Sequence, residues 1–215
     1  VRGRSWSGIC RHHQPACLMS AAELGVYALP LAGRGYQVHL IDPVSLHVER
    51  ALALSNASPA PLASVNLGDA RTLGVPDASV DVVMLFGPLY HLTARRDRVT
   101  ALAEARRVLV PGGLLLSAYI SRFASACDGI QEGARREATF EAIVDRDLVY
   151  GIHQNPTNRP EWFTTAYFHR PEEIRFEIEE AGLLFDQLIA IEGPGWMNQD
   201  LDAWLDDDAA RERLL

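Results

Sequence analysis

Apolar positions first recur with a regular period from Leu24 onward, and the residues before about Ala22 show neither a helical nor a strand period. Leu24 to Ala32 predicts a helix with Val26, Leu29 and Leu31 inward, and Gly33-Arg34-Gly35 stops it. Pro30 fits this helix only if the helix starts late. Tyr36 to Ile41 predicts a buried strand ending at Asp42-Pro43, and Leu46 to Leu54 a helix. Ala63 to Leu67 reads as a short strand closed by Gly68-Asp69-Ala70, and Val75 to Ser79 as a turn-rich loop in place of a crossover helix. Val80 to Phe86 is an almost continuous apolar run, as expected of a central strand covered on both faces. Gly87 to His91 reads as a loop. Arg95 to Leu109 reads as an amphipathic helix, Pro111-Gly112-Gly113 as a tight turn, and Leu114 to Ile120 as a further strand.

Strands alternating with helices imply an α/β fold, a mostly parallel central sheet with helices on both faces. Ligands of such sheets bind beyond the carboxyl ends of the strands, where the strand order reverses. The pattern changes after Ile120. A helix is expected over Gln131 to Leu148, then an aromatic-rich loop from Tyr150 to His169. A helix over Pro171 to Gly182 and a strand over Leu183 to Ile191 follow. Gly193 to Trp196 reads as a turn, and Leu201 to Leu215 as the start of a last helix.

Composition narrows the chemistry. The 215 residues suffice for one domain, and no internal repeat interrupts them. No apolar run reaches the roughly 18 residues that a bilayer span needs, and no apolar stretch follows Arg2 and Arg4 as a secretory signal requires. The net charge of −8 disfavours nucleic acid as a partner and favours a small molecule. Lysine is absent altogether, which excludes Schiff-base and Walker A chemistry. Three cysteines make no disulfide framework, so a reducing cytoplasm is expected. Cys10, His12, His13 and Cys17 match no standard zinc spacing, and no metal is expected.

Four stretches carry a resemblance. These are His39-Leu40-Ile41-Asp42; Gly68-Asp69-Ala70 followed by Pro76 to Val83; Leu85 to Leu92; and Glu104 to Leu116 with its Pro-Gly-Gly turn. Together they resemble the class I S-adenosylmethionine-dependent methyltransferases over Leu24 to Leu215, which implies a Rossmann-like methyltransferase fold and S-adenosylmethionine as cofactor. The resemblance implies that Asp42 accepts from both ribose hydroxyls and that Asp69, with Ala70, meets the adenine. It implies that Phe86 and Gly87 line the methionine end of the cofactor and that Tyr90 and His91 face the substrate. It makes residues 24–215 the methyltransferase domain, with 120–170 an insertion acting as a lid. Trp162, Phe163, Tyr167 and Phe168 then either line an apolar pocket or pack the insertion.

The family opens with a strand and a loop of the form Asp-x-Gly-x-Gly-x-Gly. The same place here reads Leu18 to Ala28, where only Gly25 matches, as the last glycine of the loop. With G-ending codons at Leu18, Ser20, Ala21 and Ala22, a reading frame one nucleotide earlier spells Asp-Val-Gly-Gly-Gly. Residues 1–23 are therefore read as an irregular, frameshifted segment, and the sheet is expected to lack its first strand. The last strand is expected to be missing too, because the chain ends at Leu215. Tyr90, His91 and His153 are the candidate general bases. A non-catalytic remnant of the family, or a nicotinamide-dependent oxidoreductase on a similar sheet, are the competing readings. The acceptor and the oligomeric state are left open.

Overall fold

The computed structural model describes residues 14–20, 26–131, 137–157, 159–191 and 206–207. The chain divides into two compact units, one of residues 1–119 and 172–184, the other of residues 120–171 and 185–215.

The first unit is built on five parallel strands in the order β3-β2-β1-β4-β5. They are β1 (Ala16–Ser20), β2 (Gln37–Asp42), β3 (Ser64–Leu67), β4 (Val80–Leu85) and β5 (Leu109–Ser117). The expectation of a missing first strand is corrected. Ala16 to Ser20 forms β1, paired with β2 along one edge and β4 along the other. Its alternation is that of a strand buried on both faces. Leu18 enters one core cluster, while Cys17 and Met19 enter another.

Those clusters are the two faces of the sheet. On one face, Leu18, Ile41, Val83 and Leu85 meet α3 (Pro88–His91), α4 (Arg95–Val108) and the end of α7 (Pro171–Glu180), through Leu89, Ala101, Leu102, Ala105 and Ile178. On the other, Cys17, Met19, Val38, Leu40, Val82 and Met84 meet Ala28 and Ala32 of α1 (Ala28–Gly33) and Ala51 of α2 (Ser45–Ala57). The helix α1 does start late, so Pro30 falls in its first turn, where its missing N–H has no intrahelical acceptor in any case. The expected loop Gly87 to His91 is largely a short helix instead, entered through Pro88.

No helix links β3 to β4. The connecting loop is held by side chains of α4. Arg107 donates to the carbonyls of Leu73 and Val75 and to the carboxylates of Asp77 and Glu104, while Glu104 accepts from the Leu73 N–H at 3.0 Å. The Pro-Gly-Gly turn lies inside β5 rather than before it. Val80 faces Leu109 and Val82 faces Leu114, so residues 111–113 bulge from the ladder. A Cβ on Gly113 would sit 2.9 Å from the Asp81 carbonyl oxygen, so only glycine fits there.

A fully buried ion pair ties α4 to α7. Arg98 donates to both Glu177 carboxylate oxygens, at 2.6 to 3.1 Å, and to the carbonyls of Leu92 and Thr93. Both residues are 1% exposed.

The second unit comprises α5 (Ala124–Gln131), α6 (Ala138–Tyr150) and a three-stranded sheet in the order β6-β8-β7. Its strands are β6 (Ile120–Ser121), β7 (Ile152–His153) and β8 (Ala166–His169). Of the helix expected over Gln131 to Leu148, residues from Ala138 onward form α6, while residues 132–136 lie outside the described ones, and the aromatic loop expected after it contains two strands. The strand expected over Leu183 to Ile191 does not form. Those residues pair with no strand, and Leu184 and Ile191 are 98% and 90% exposed. The expected turn at Gly193 and most of the final helix lie outside the described residues. No helix among the described residues is long and apolar enough to cross a membrane.

Removing one member of a buried pair leaves an uncompensated charge. Arg98→Ala is expected to cost about 3–5 kcal/mol, and the double variant Arg98→Met with Glu177→Leu to recover most of it. Urea unfolding followed by circular dichroism measures both; equal losses in the two variants would contradict the expectation.

Candidate functional site

All five strands of the larger sheet run the same way, so their carboxyl ends share one edge. The chain passes from β3 to β4 across β2 and β1, which puts the reversal of strand order between β1 and β4. A crevice forms at such a point because the connections leave in opposite directions. Ser20 at the end of β1 faces Ile41 of β2 and Leu85 of β4. Strand spacing puts the ends of β2 and β4 about 10 Å apart across it.

Asp42 ends β2 and is 2% exposed. The following Pro43 turns the chain, and the Asp42 Oδ1 accepts from the Val44 N–H at 2.9 Å. The same oxygen lies 3.2 Å from His47 Nδ1. Among the described residues no group donates to Oδ2. A carboxylate oxygen is an acceptor only, so it suits a hydroxyl-bearing ligand. The Asp42 backbone carbonyl accepts from the Gly68 N–H at 3.1 Å, which brings the Gly68-Asp69-Ala70 turn beside it. A Cβ on Gly68 would stand 2.7 Å from Ile41 Cγ2, so the glycine permits this approach.

Asp69 is more committed than the sequence indicates. Its Oδ1 accepts from the Arg71 N–H and Nε–H, at 2.8 and 3.0 Å, and its Oδ2 from the Arg71 guanidinium at 2.6 Å. These bonds hold the carboxyl below its usual range and keep it charged. Arg71 also reaches Asp97 at 3.2 Å. Ala70 is buried in the core.

Phe86 directly follows β4, and its ring meets Tyr27 edge to face at 5.4 Å. Gly87 caps α3 and is buried. Tyr90 donates to the Phe86 carbonyl at 3.4 Å, and its ring lies 4.8 Å from that of the exposed His91. The sheet edge thus gathers Asp42, Asp69, Ala70 and Phe86, with Gly87, Tyr90 and His91 in the segment that continues from β4. Gly25 lies outside the described residues, as do Cys10, His12 and His13. Among the described residues no cluster of three or more His, Cys, Asp or Glu side chains could hold a metal.

His153 is corrected as a candidate base. It is 2% exposed in the second unit, and both its ring nitrogens are engaged. Nδ1 donates to Asp147 Oδ2 and Nε2 to the Trp162 carbonyl, each at 2.8 Å. Both partners are acceptors, so the cationic ring, with a proton on each nitrogen, satisfies both bonds. Ser125 donates to the same Asp147 oxygen at 2.6 Å. Burial disfavours the charged ring, but the bonds to Asp147 and Trp162 outweigh it and raise the pKa above 6.5. The group joins α5, α6, β7 and the turn at Trp162. Trp162 packs with Phe140, Ile143 and Val144, and the Phe168 ring stacks on His153 at 4.7 Å. For these two aromatics the packing alternative holds. Tyr167 accepts from Arg122 at 3.2 Å, and Phe163 is 42% exposed.

A family model described as a methyltransferase domain matches residues 20–117, which hold the entire sheet edge from Ser20 to His91. Residues 20–117 are a methyltransferase domain, on the fold of the S-adenosylmethionine-dependent methyltransferases. The cofactor of this family is S-adenosylmethionine. The chain is 39% identical over 94 residues to an uncharacterised 37.1 kDa protein carried by a transposon of Streptomyces fradiae. That match covers 44% of this chain and 26% of the relative's length. Its fold is similar to that of an S-adenosylmethionine-dependent methyltransferase from Methanosarcina mazei, with a TM-score of 0.62, 18% identity and 80% coverage of each chain. The YcgJ protein of Bacillus subtilis gives a TM-score of 0.56 at 17% identity, over 93% of this chain and 81% of that one.

The His153 pair makes the protein's stability depend on pH. The folded pKa lies above the unfolded value of 6.5, so the stabilisation is complete at lower pH and fades as pH rises through the folded value. Urea midpoints are expected to fall from about pH 6 upward in the wild type more steeply than in His153→Gln. Identical slopes would rule out the cationic ring.

Proposed function

We propose that this methyltransferase transfers the methyl group of S-adenosylmethionine to a small-molecule acceptor at the carboxyl edge of β1 and β4. One observation carries the reading: a buried carboxylate, Asp42, ends β2 beside the reversal of strand order with Oδ2 unused by protein donors. A vicinal diol suits that oxygen, and Asp42 is assigned to the ribose. Asp69 keeps acceptor capacity on Oδ2, since a carboxylate offers about four lone-pair sites and Arg71 uses only some of them. It is assigned to the adenine amino group, with Ala70 walling that side. Phe86 and Gly87 are assigned to the methionine end, with Gly25 as the last glycine of the loop. Tyr90 and His91 are assigned to the acceptor.

When bound, the cofactor supplies the electrophilic methyl group. The chain's own contribution is positioning and the exclusion of water. His91 is exposed and beside Tyr90, so its neutral imidazole can take a proton from an oxygen or nitrogen nucleophile. The net charge of −8 supports a small acceptor over a polyanion.

A second reading, a non-catalytic member of the family, is favoured by the Arg71 clasp on Asp69 and by the single glycine among residues 21–25. Equilibrium calorimetry decides between them. Micromolar S-adenosylmethionine binding is expected, weakened roughly tenfold or more in Asp42→Asn, because hydrogen bonds to a charged acceptor contribute about 1.5–3 kcal/mol. No binding by folded wild-type protein would favour the non-catalytic reading, and NADH binding in its place would favour the oxidoreductase. If binding fails, resequencing the gene across Leu18 to Ala22 tests the frameshift. Codons incompatible with the one-nucleotide shift would make the loop a diverged one.

A further inference from the structure

Tyr27 was not among the residues marked by the sequence. It lies where α1 begins, and its carbonyl accepts from the Leu31 N–H, so its backbone is fixed by the first helical turn. Its ring is set against Phe86 with an interplanar angle of 79°. Phe86 is anchored in turn, since it packs on the cluster formed by β1, β2, β4 and α1, and its carbonyl accepts from Tyr90. Phe86 follows β4, the strand beside β1 at the reversal point, so the aromatic pair stands at the crevice.

Tyr27 is 54% exposed. An edge-to-face contact uses the edge of one ring and one face of the other. Whichever ring supplies the edge, the contact leaves at least one face of Tyr27 uncovered. A half-exposed tyrosine set against Phe86 at a strand-end crevice can offer that face to a cation, because the aromatic quadrupole is negative over the ring face. The carboxylates of this edge, Asp42 and Asp69, are assigned above to the ribose and the adenine, which leaves the cationic sulfur to another group.

We propose that Tyr27, held by Phe86, presents its ring face to the sulfonium of S-adenosylmethionine and makes the site prefer this cationic donor to the neutral thioether left after methyl transfer. The proposal rests on the functional reading above and adds a positioning residue to it. A sulfonium spreads its charge over three attached carbons, as a quaternary ammonium spreads its charge over four, and both suit an aromatic face better than a point contact. Loss of the methyl group leaves an uncharged sulfur, for which the ring has no such preference. Tyr27 thereby favours loading of the donor and release of the product.

The test is the ratio of affinities for S-adenosylmethionine and S-adenosylhomocysteine, measured by calorimetry on the wild type, Tyr27→Phe, Tyr27→Leu and Phe86→Leu. Tyr27→Leu is expected to weaken S-adenosylmethionine roughly tenfold with little change for S-adenosylhomocysteine. Tyr27→Phe keeps the ring and is expected to keep the ratio. Phe86→Leu removes the support and is expected to lower the ratio in part. Circular dichroism checks that each variant is folded, and the exposure of Tyr27 makes its variants the least demanding. Equal weakening of both ligands in Tyr27→Leu, or a Tyr27→Phe variant that behaves like Tyr27→Leu, overturns the proposal while leaving the functional reading intact. A folded wild type that binds neither ligand overturns the functional reading, and this proposal falls with it.

Discussion

The larger unit depends on five residues. β1 is the strand with a parallel neighbour on each side that lies at the middle of the five-stranded sheet, and every other strand is placed relative to it. A backbone buried on both faces must hydrogen-bond along both edges, because no water reaches it. Ala16 to Ser20 satisfies this with β2 and β4 and sends successive side chains into the two cores. Once β1 is fixed, the ends of β2 and β4 flank it at a set spacing, and Asp42 and Phe86 arrive on either side of the crevice.

The sequence reveals this architecture unevenly, for physical reasons. Asp42 is legible because it closes an apolar run and is followed by proline, which ends a strand in a way that needs no partner. Val80 to Leu85 is legible because burial on both faces demands an unbroken apolar run. β1 is not, because Ala-Cys-Leu-Met-Ser has few β-branched residues and its strand character comes from the two neighbours that flank it. The reverse error occurs at Leu183 to Ile191, where an apolar pattern exists but pairing among the described residues does not. A strand is a relation between segments, and a pattern in one segment specifies only half of it.

The site residues divide the same way. The carboxylate at the end of β2 and the glycine-aspartate turn after β3 follow from local signals. The Arg71 clasp on Asp69 is local too, being two residues away, but nothing in the spacing separates it from an ordinary surface arginine. His153 was invisible as a structural cation because its partners come from Asp147, Ser125 and Trp162, which no periodicity connects. Tyr27 was invisible because its meaning depends on Phe86, 59 positions later in the numbering. For His153 and Tyr27 the missing information was a contact between separate elements.

At the entry to β1, the Ala16 N–H donates to Asp81 Oδ2 at 2.8 Å, and Asp81 is itself buried in β4. This bond joins the two strands at the end opposite the crevice. A one-residue slip would carry Leu18 and Met19 to the wrong faces, and the carboxylate would lose its donor at the same time. The alignment of the ligand-binding edge is therefore set at a distance from it, like a door hung true by its hinge rather than by its latch. Sequence drift in the loop beyond Ser20 leaves that alignment standing.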